Sequence, residues 1–250
     1  MTTCFVVQFG PICIAAADTR ISAAGATGLS PAVWDAADLP FMTATGADYV
    51  LPYRFRKIRQ LDRGWAVMAG SYITGQRMLD LLSREESSSA LHAQEILHRG
   101  ATAELALLEE MPDIGPSIQP SVLMGTPANA DRTGIWVAQR NEGSEYTVQI
   151  APDFAINWPS SILPEQKTEA QQAFFSSLNS FNHMGDLVRA SAMLIGAARG
   201  APDSSSFVQI GITWQSSETE FEARYIAGHV DEIAAMTNDE IAERSETLTP

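Results

Sequence analysis

Residues 2–20 read Thr2-Thr3-Cys4-Phe5-Val6-Val7-Gln8-Phe9-Gly10-Pro11-Ile12-Cys13-Ile14-Ala15-Ala16-Ala17-Asp18-Thr19-Arg20. Two short apolar runs, Thr3 to Phe9 and Ile12 to Ala17, flank the turn pair Gly10-Pro11, which predicts an antiparallel hairpin. Strands rise about 3.3 Å per residue, so the second strand returns to the start of the first and Asp18 is expected beside Thr2. A threonine directly behind Met1 can become the chain's own N-terminus, with a hydroxyl nucleophile and a free α-amine on one residue. Such an amine titrates near ~7.7–8.0 in model compounds and can serve as the base for the hydroxyl. Asp18 would orient and hold charged a neighbouring ammonium; as a strand-terminal Asp it also suits the acceptance of turn hydrogen bonds.

A second strand pair is expected at Arg56 to Leu61 and Trp65 to Ser71, turning at Asp62-Arg63-Gly64. After Gly70, the positions of Ile73, Met78, Leu79, Leu81 and Leu82 suit a helix. Lys57 sits on the first of these strands with Phe55 and Ile58 near it. A lysine there either snorkels to solvent or is held inside by carboxylates.

Taken together, Thr2-Thr3, Ala16-Ala17-Asp18-Thr19-Arg20, Arg56-Lys57-Ile58-Arg59-Gln60-Leu61 and Met68-Ala69-Gly70 ahead of a helix resemble the catalytic β-type subunits of the proteasome and their bacterial heat-shock-locus counterpart. These are N-terminal-nucleophile hydrolases. The resemblance spans most of residues 2–226 and implies an α+β fold: a four-layer αββα sandwich of two antiparallel sheets flanked by helices. By the same resemblance Thr2 matches the nucleophile, Asp18 the acid beside it, Lys57 the lysine close to the nucleophile, and Gly70 the glycine whose N–H helps form the oxyanion hole. Asp203 and Ser206 match an Asp-x-x-Ser pair that hydrogen-bonds around the terminal amine. Ile21 and Met68 match residues bordering the pocket for the side chain that precedes the cut, which suggests small or medium apolar specificity. Ser160 and Ser161 stand nearest to the family's supporting serine.

The chain departs from the family in three places. The two glycines usual after the Asp-x-x-Ser serine are absent, and Phe207 follows Ser206 directly. A glycine-serine-glycine stretch is missing before the later helices. The connection from Asp18 to Lys57 is also longer than usual, at 38 residues. Its extra part, Gly25 to Tyr53, holds three acidic residues and no basic ones. A loop of that length is usually functional or mobile, and this one is expected either to cover the cleft or to be a solvated insertion. Trp34, Phe41 and Tyr49 within it favour the former, because aromatics need a surface to pack on.

Further along, Glu85 to Met111 reads as helix broken near Gly100, and Pro112 to Pro120 as a breaker-rich crossing. Ser121 to Gly125, Gly134 to Gln139, Tyr146 to Ile150 and Phe154 to Trp158 read as strands of a second sheet. Glu165 to Leu178 and Met184 to Arg199 read as helices, and Ser206 to Trp214 and Phe221 to Ile226 as closing strands. This order suits two sheets packed face to face with helices outside. Residues 2–226 form one expected domain, and 227–250 an acidic, solvated helix and tail.

A net charge of −14, from 16 basic and 30 acidic residues without a basic run, argues against nucleic-acid and anionic-membrane partners, which require Lys/Arg clusters. Cys4 and Cys13 read as small buried strand residues rather than a disulfide framework. His92, His98, His183 and His229 lack metal spacing. Nothing in the first residues reads as a signal peptide, and no run is long enough to span a membrane, so a cytoplasmic location is expected.

The expectation is an N-terminal-threonine peptidase that needs no metal or organic cofactor and cleaves peptide or unfolded-protein substrates. The resemblance further implies a homo-oligomeric ring and leaves room for an ATPase partner. Two alternatives stay open: an inactive, shell-type subunit kept for assembly, and a threonine-nucleophile hydrolase of a non-peptide amide.

Overall fold

The computed structural model describes residues 3–22, 48–50, 57–61, 64–69, 79–84, 95, 99, 121–125, 135–140, 146–151, 153–159, 161–199, 204, 206–217 and 220–248. The N-terminal hairpin is β1 (Cys4–Phe9) and β2 (Ile12–Asp18), with Phe9 paired to Ile12 across a two-residue turn. Gly10 adopts φ +54° there. Pro11 cannot follow it to positive φ, which selects the II′ geometry that matches strand twist.

The hairpin lies in a six-stranded antiparallel sheet with β10 (Phe154–Asn157), β11 (Phe207–Gln215), β12 (Phe221–His229) and β13 (Glu246–Leu248), ordered β10-β1-β2-β11-β12-β13. A five-stranded antiparallel sheet runs in sequence order through β5 (Ile58–Leu61), β6 (Gly64–Ala69), β7 (Ser121–Gly125), β8 (Ile135–Arg140) and β9 (Tyr146–Ala151). The short strands β3 (Arg20–Ser22) and β4 (Asp48–Val50) pair with each other. The end of the insertion expected over Gly25 to Tyr53 is thus a strand returning beside Ile21; residues 23–47 lie outside the described part.

Both faces of the hairpin are covered. Phe5, Val7, Ile12, Ile14 and Ala16 pack into a core with α1 (Pro164–Ser180), α2 (Met184–Gly196), α3 (Val230–Ala235) and α4 (Asn238–Arg244). Their alternates Cys4, Val6, Cys13, Ala15 and Ala17 meet Ile58, Trp65, Val67 and Ala69 of the five-stranded sheet. The period-two alternation therefore separates a helix-facing core from a sheet-facing one. On the outer side of the second sheet, residues 79–84 are helical, with Leu79 and Leu82 buried and Asp80 paired to Arg59 of β5. Two antiparallel sheets flanked by helices are the architecture expected. The helix expected over Glu85 to Met111 is described only at Glu95 and Arg99, both helical.

Two expectations are corrected. The strand at Phe154 belongs not to the second sheet but to the first, where it pairs with β1 through Cys4↔Asn157 and Val7↔Phe154. Phe154 thereby joins an aromatic cluster with Phe5, Phe174 and Phe175 at centroid separations of 5.0–6.2 Å. The segment after Ala227 is not a solvated appendage. Val230, Ile233, Met236 and Ile241 enter the helix-facing core, and β13 extends the sheet beyond β12. Most acids on α3 and α4 lie in their first turns, where Asp231, Glu232, Asp239 and Glu240 suit the positive end of the helix dipole.

Candidate active site

The hairpin register brings the acid to the chain's start. The Asp18 N–H donates to the Thr3 carbonyl at 2.9 Å, and the Thr3 N–H donates to Asp18 Oδ2 at 2.7 Å. Asp18 thus stands opposite Thr3, one residue along from the expected neighbour. Its other oxygen, Oδ1, accepts from Lys57 Nζ at 2.9 Å. Lys57 comes from the opposing sheet, immediately before β5, and the two side chains are 2% and 0% exposed. Snorkelling is thereby excluded: the lysine is held inside by a carboxylate.

A dry ion pair is expensive to desolvate, and its mutual attraction repays that cost only with good geometry and further hydrogen bonds. Here both carboxylate oxygens are engaged, one by the cation and one by a backbone N–H. The surrounding layer is small and apolar. Burial pushes the neighbouring Cys4 thiol up to about 12; the Asp18 charge adds to the rise and the Lys57 charge partly offsets it. Cys13 is likewise pushed up to about 12 by burial, with a backbone hydrogen bond from Trp65 opposing the rise. Both cysteines are free thiols, and neither suits a nucleophilic role.

The remaining expected residues are placed as follows. Thr2, Gly70, Asp203 and Ser160 lie outside the described residues. Ser206 is half-buried just ahead of β11, and its carbonyl accepts the Val230 N–H at 2.8 Å. Ser204 is the serine whose hydroxyl approaches the N-terminal strand, with its Oγ 3.5 Å from Thr3 Oγ1. Ile21 lies in β3 opposite Tyr49. Met68 is 1% exposed, in β6 between Val67 and Ala69, and its N–H donates to the Lys57 carbonyl at 3.0 Å. Ser161 is exposed.

Three residues near the pair were not singled out in the sequence: Thr3, Ser204 and Gln209. Gln209 is fully buried, and its Oε1 accepts the Lys57 backbone N–H at 2.7 Å. A signal for it exists in Phe207–Gln215. Val208, Ile210, Ile212 and Trp214 occupy one face of that strand, which leaves Gln209, Gly211 and Thr213 for the other. Among the described residues no group of three or more His, Cys, Asp or Glu could hold a metal ion, and no helix is long and apolar enough to cross a membrane.

No family model matches the chain, and no curated protein matches it. Solved structures do. The protein BPH of Thiobacillus denitrificans, solved in complex with epoxomicin, superimposes with a TM-score of 0.50 at 17% identity, covering 86% of this chain and 100% of BPH. Anbu, an ancestral β-subunit from Yersinia bercovieri, gives 0.50 at 10% identity, over 99% of this chain and 86% of Anbu. A mutant of Anbu from Hyphomicrobium sp. strain MC1 gives 0.53 at 10% identity, with 97% of each chain covered. The chain shares with these proteins the N-terminal-nucleophile hydrolase fold, two antiparallel sheets flanked by helices.

Proposed function

We propose that this protein is an N-terminal-threonine hydrolase of the proteasome β-subunit kind and that it cleaves peptide bonds through Thr2 once Met1 is removed. The observation behind this reading is the buried Lys57–Asp18 pair, whose carboxylate also holds the backbone N–H of Thr3, the residue bonded to Thr2. A fixed positive charge at this point favours deprotonation of a nearby hydroxyl and amine. Thr2 Oγ1 attacks the scissile carbonyl, and its own amine, directly or through a water, takes up the proton. The C–N bond then breaks, the leaving amine takes that proton, and water hydrolyses the acyl ester to regenerate Thr2. The Gly70 N–H stabilises the oxyanion, a contribution worth ~2.7–4 kcal/mol where such donors have been removed. Asp203 and Ser206 hold the terminal amine. Ile21 and Met68 border the specificity pocket, where Met68 supplies an adaptable apolar wall.

Support for assembly into a ring comes from the fold shared with a β-subunit. The protein acts in the cytoplasm on unfolded chains, alone or with an ATPase partner.

The test is direct. The intact mass of purified protein is expected to lack Met1, and epoxomicin, the compound bound in the BPH structure, is expected to add its mass at Thr2. Thr2→Ala is expected to abolish both labelling and fluorogenic-peptide turnover while leaving the thermal midpoint within a few degrees. Turnover unchanged in Thr2→Ala would place the active site elsewhere.

A further inference from the structure

Lys57 is anchored at both ends by one sheet while belonging to the other. Its ammonium is held by Asp18 of β2 and its backbone N–H by Gln209 of β11, the strand next to β2. In the pairing, Asp18 faces Val208 and Ala17 faces Gln209, so the two anchors stand at the same end of neighbouring strands. A second backbone contact comes from its own sheet: the Lys57 carbonyl accepts the Met68 N–H, continuing the β5–β6 pairing by one residue. Ile58 already packs between the sheets. Lys57 is thus a point, among the described residues, at which polar contacts of both its side chain and its backbone bind the second sheet to the first.

Gln209 is an unusual choice for that face of β11. On the same face its neighbours β1 and β2 carry Cys4, Val6, Cys13, Ala15 and Ala17, and a fully buried carboxamide costs free energy unless it is hydrogen-bonded. Filling the space needs only an apolar side chain. Presenting an acceptor to one N–H of the opposite sheet needs the amide.

We infer that Gln209 is a positioning residue: its side-chain carbonyl sets where the Lys57 backbone lies relative to β1 and β2, and so where the ammonium stands relative to the chain's N-terminus. Without it, the Lys57 backbone loses this hydrogen bond to the first sheet. A misplacement of about 1 Å can cost on the order of 10²-fold in rate. The catalytic consequence rests on the proposed role of Thr2; the anchoring itself does not.

The experiment compares Gln209→Met, which keeps length and volume but removes the acceptor, with Gln209→Glu, which keeps an acceptor oxygen. In Gln209→Met, kcat is expected to fall roughly 10- to 100-fold with KM nearly unchanged. The acidic limb of its kcat/KM profile is expected to move to higher pH, because an amine farther from a positive charge has a higher pKa. Gln209→Glu is expected to recover most of kcat. Amide hydrogen exchange of a peptide spanning Lys57 is expected to quicken in Gln209→Met and not in Gln209→Glu. A purely structural role would lower the thermal midpoint and the folded fraction without moving the acidic limb. The inference is overturned if Gln209→Met, folded, keeps wild-type kcat and acidic limb, or if exchange at Lys57 is the same in all three proteins. If wild-type turnover survives Thr2→Ala, the functional reading fails instead, and the exchange measurement still decides the role of Gln209.

Discussion

The two faces of the six-stranded sheet solve different problems. Toward the helices it presents Phe5, Val7, Ile14, Val208, Ile210 and Ile212, large side chains that fill space and stabilise by burial. Toward the second sheet it presents mostly smaller side chains, Cys4, Val6, Cys13, Ala15, Ala17 and Gly211, with Tyr225 the large exception. Trp65 lies on Gly211, where an added Cβ would stand 2.5 Å from the indole. At one end of this layer sit Asp18, Lys57 and Gln209. The helix side is an ordinary core that tolerates loss by degrees. The sheet side is a spacer that delivers polar groups to a common point, and there a small change alters geometry before it alters volume.

The largest effect is expected at the ion pair. Lys57→Met leaves Asp18 buried without its cation and should cost about 3–5 kcal/mol of stability, together with several orders of magnitude in kcat on the proposed mechanism. Adding Asp18→Asn should return part of that stability while activity stays lost, a non-additivity expected of residues in contact. Chemical denaturation of the single and double variants, with peptide turnover alongside, measures both. A double variant as unstable as the sum of the singles would show that the pair is not coupled.

Across the sheet, Phe5→Ala should destabilise by about 3–5 kcal/mol, since it empties the centre of the cluster with Phe154 and Phe174. Because this face only fills space, the kcat of the fraction that stays folded is expected to be close to wild type. A kcat loss matching that of Gln209→Met would erase the distinction between the faces. Gly211→Ala is expected to cost less, about 1–3 kcal/mol from overpacking. Trp65→Phe should relieve part of it, because the smaller ring recedes and the Trp65 Nε1 it removes makes no hydrogen bond among the described residues. The thermal midpoints of the two single variants and the double variant decide this.

The smallest effects should come from the helix termini of the outer layer. The Asp186 carboxyl is lowered because it accepts the N–H groups of Asn182 and then His183, assisted by Arg189. Glu240 is lowered by the Thr237 N–H and hydroxyl, reciprocally capping α4. A group depressed in the native state adds stability above its ordinary pKa and loses it as pH falls through the native value. The window therefore opens near the ordinary values of 3.8 and 4.5 and extends downward. Asp186→Asn with Glu240→Gln should melt slightly lower at neutral pH and show a shallower fall below it. An acid limb as steep as wild type would assign the loss to other carboxylates.

Much of the frame was legible from residue order because it is local. A two-residue Gly10-Pro11 turn sets the register of the whole hairpin, and that register alone brings Asp18 to the chain's start. The helices at 164–180 and 184–196 follow from apolar spacing in the same way, as do most strand positions. What the residue order could not settle depends on partners far along the chain. Whether Lys57 snorkels or is buried turns on a carboxylate 39 positions away, and its backbone anchor is 152 positions away. Phe154 reads equally well as a strand of either sheet until β1 supplies an open edge, and the acids after Ala227 read as solvated until Val230, Ile233 and Ile241 find the helix-facing core. Ser204 carried no spacing signal, and the alternation along Phe207–Gln215 gave Gln209 a face but no partner, since a polar residue on a strand acquires its function only from what the opposing layer sets against it. Periodicity and turn chemistry determined the strands, the helices and the hairpin register, because those interactions span a few residues. The tertiary structure alone decided which polar groups were buried together, because a dry ion pair forms only where two sheets from distant parts of the chain exclude water from it.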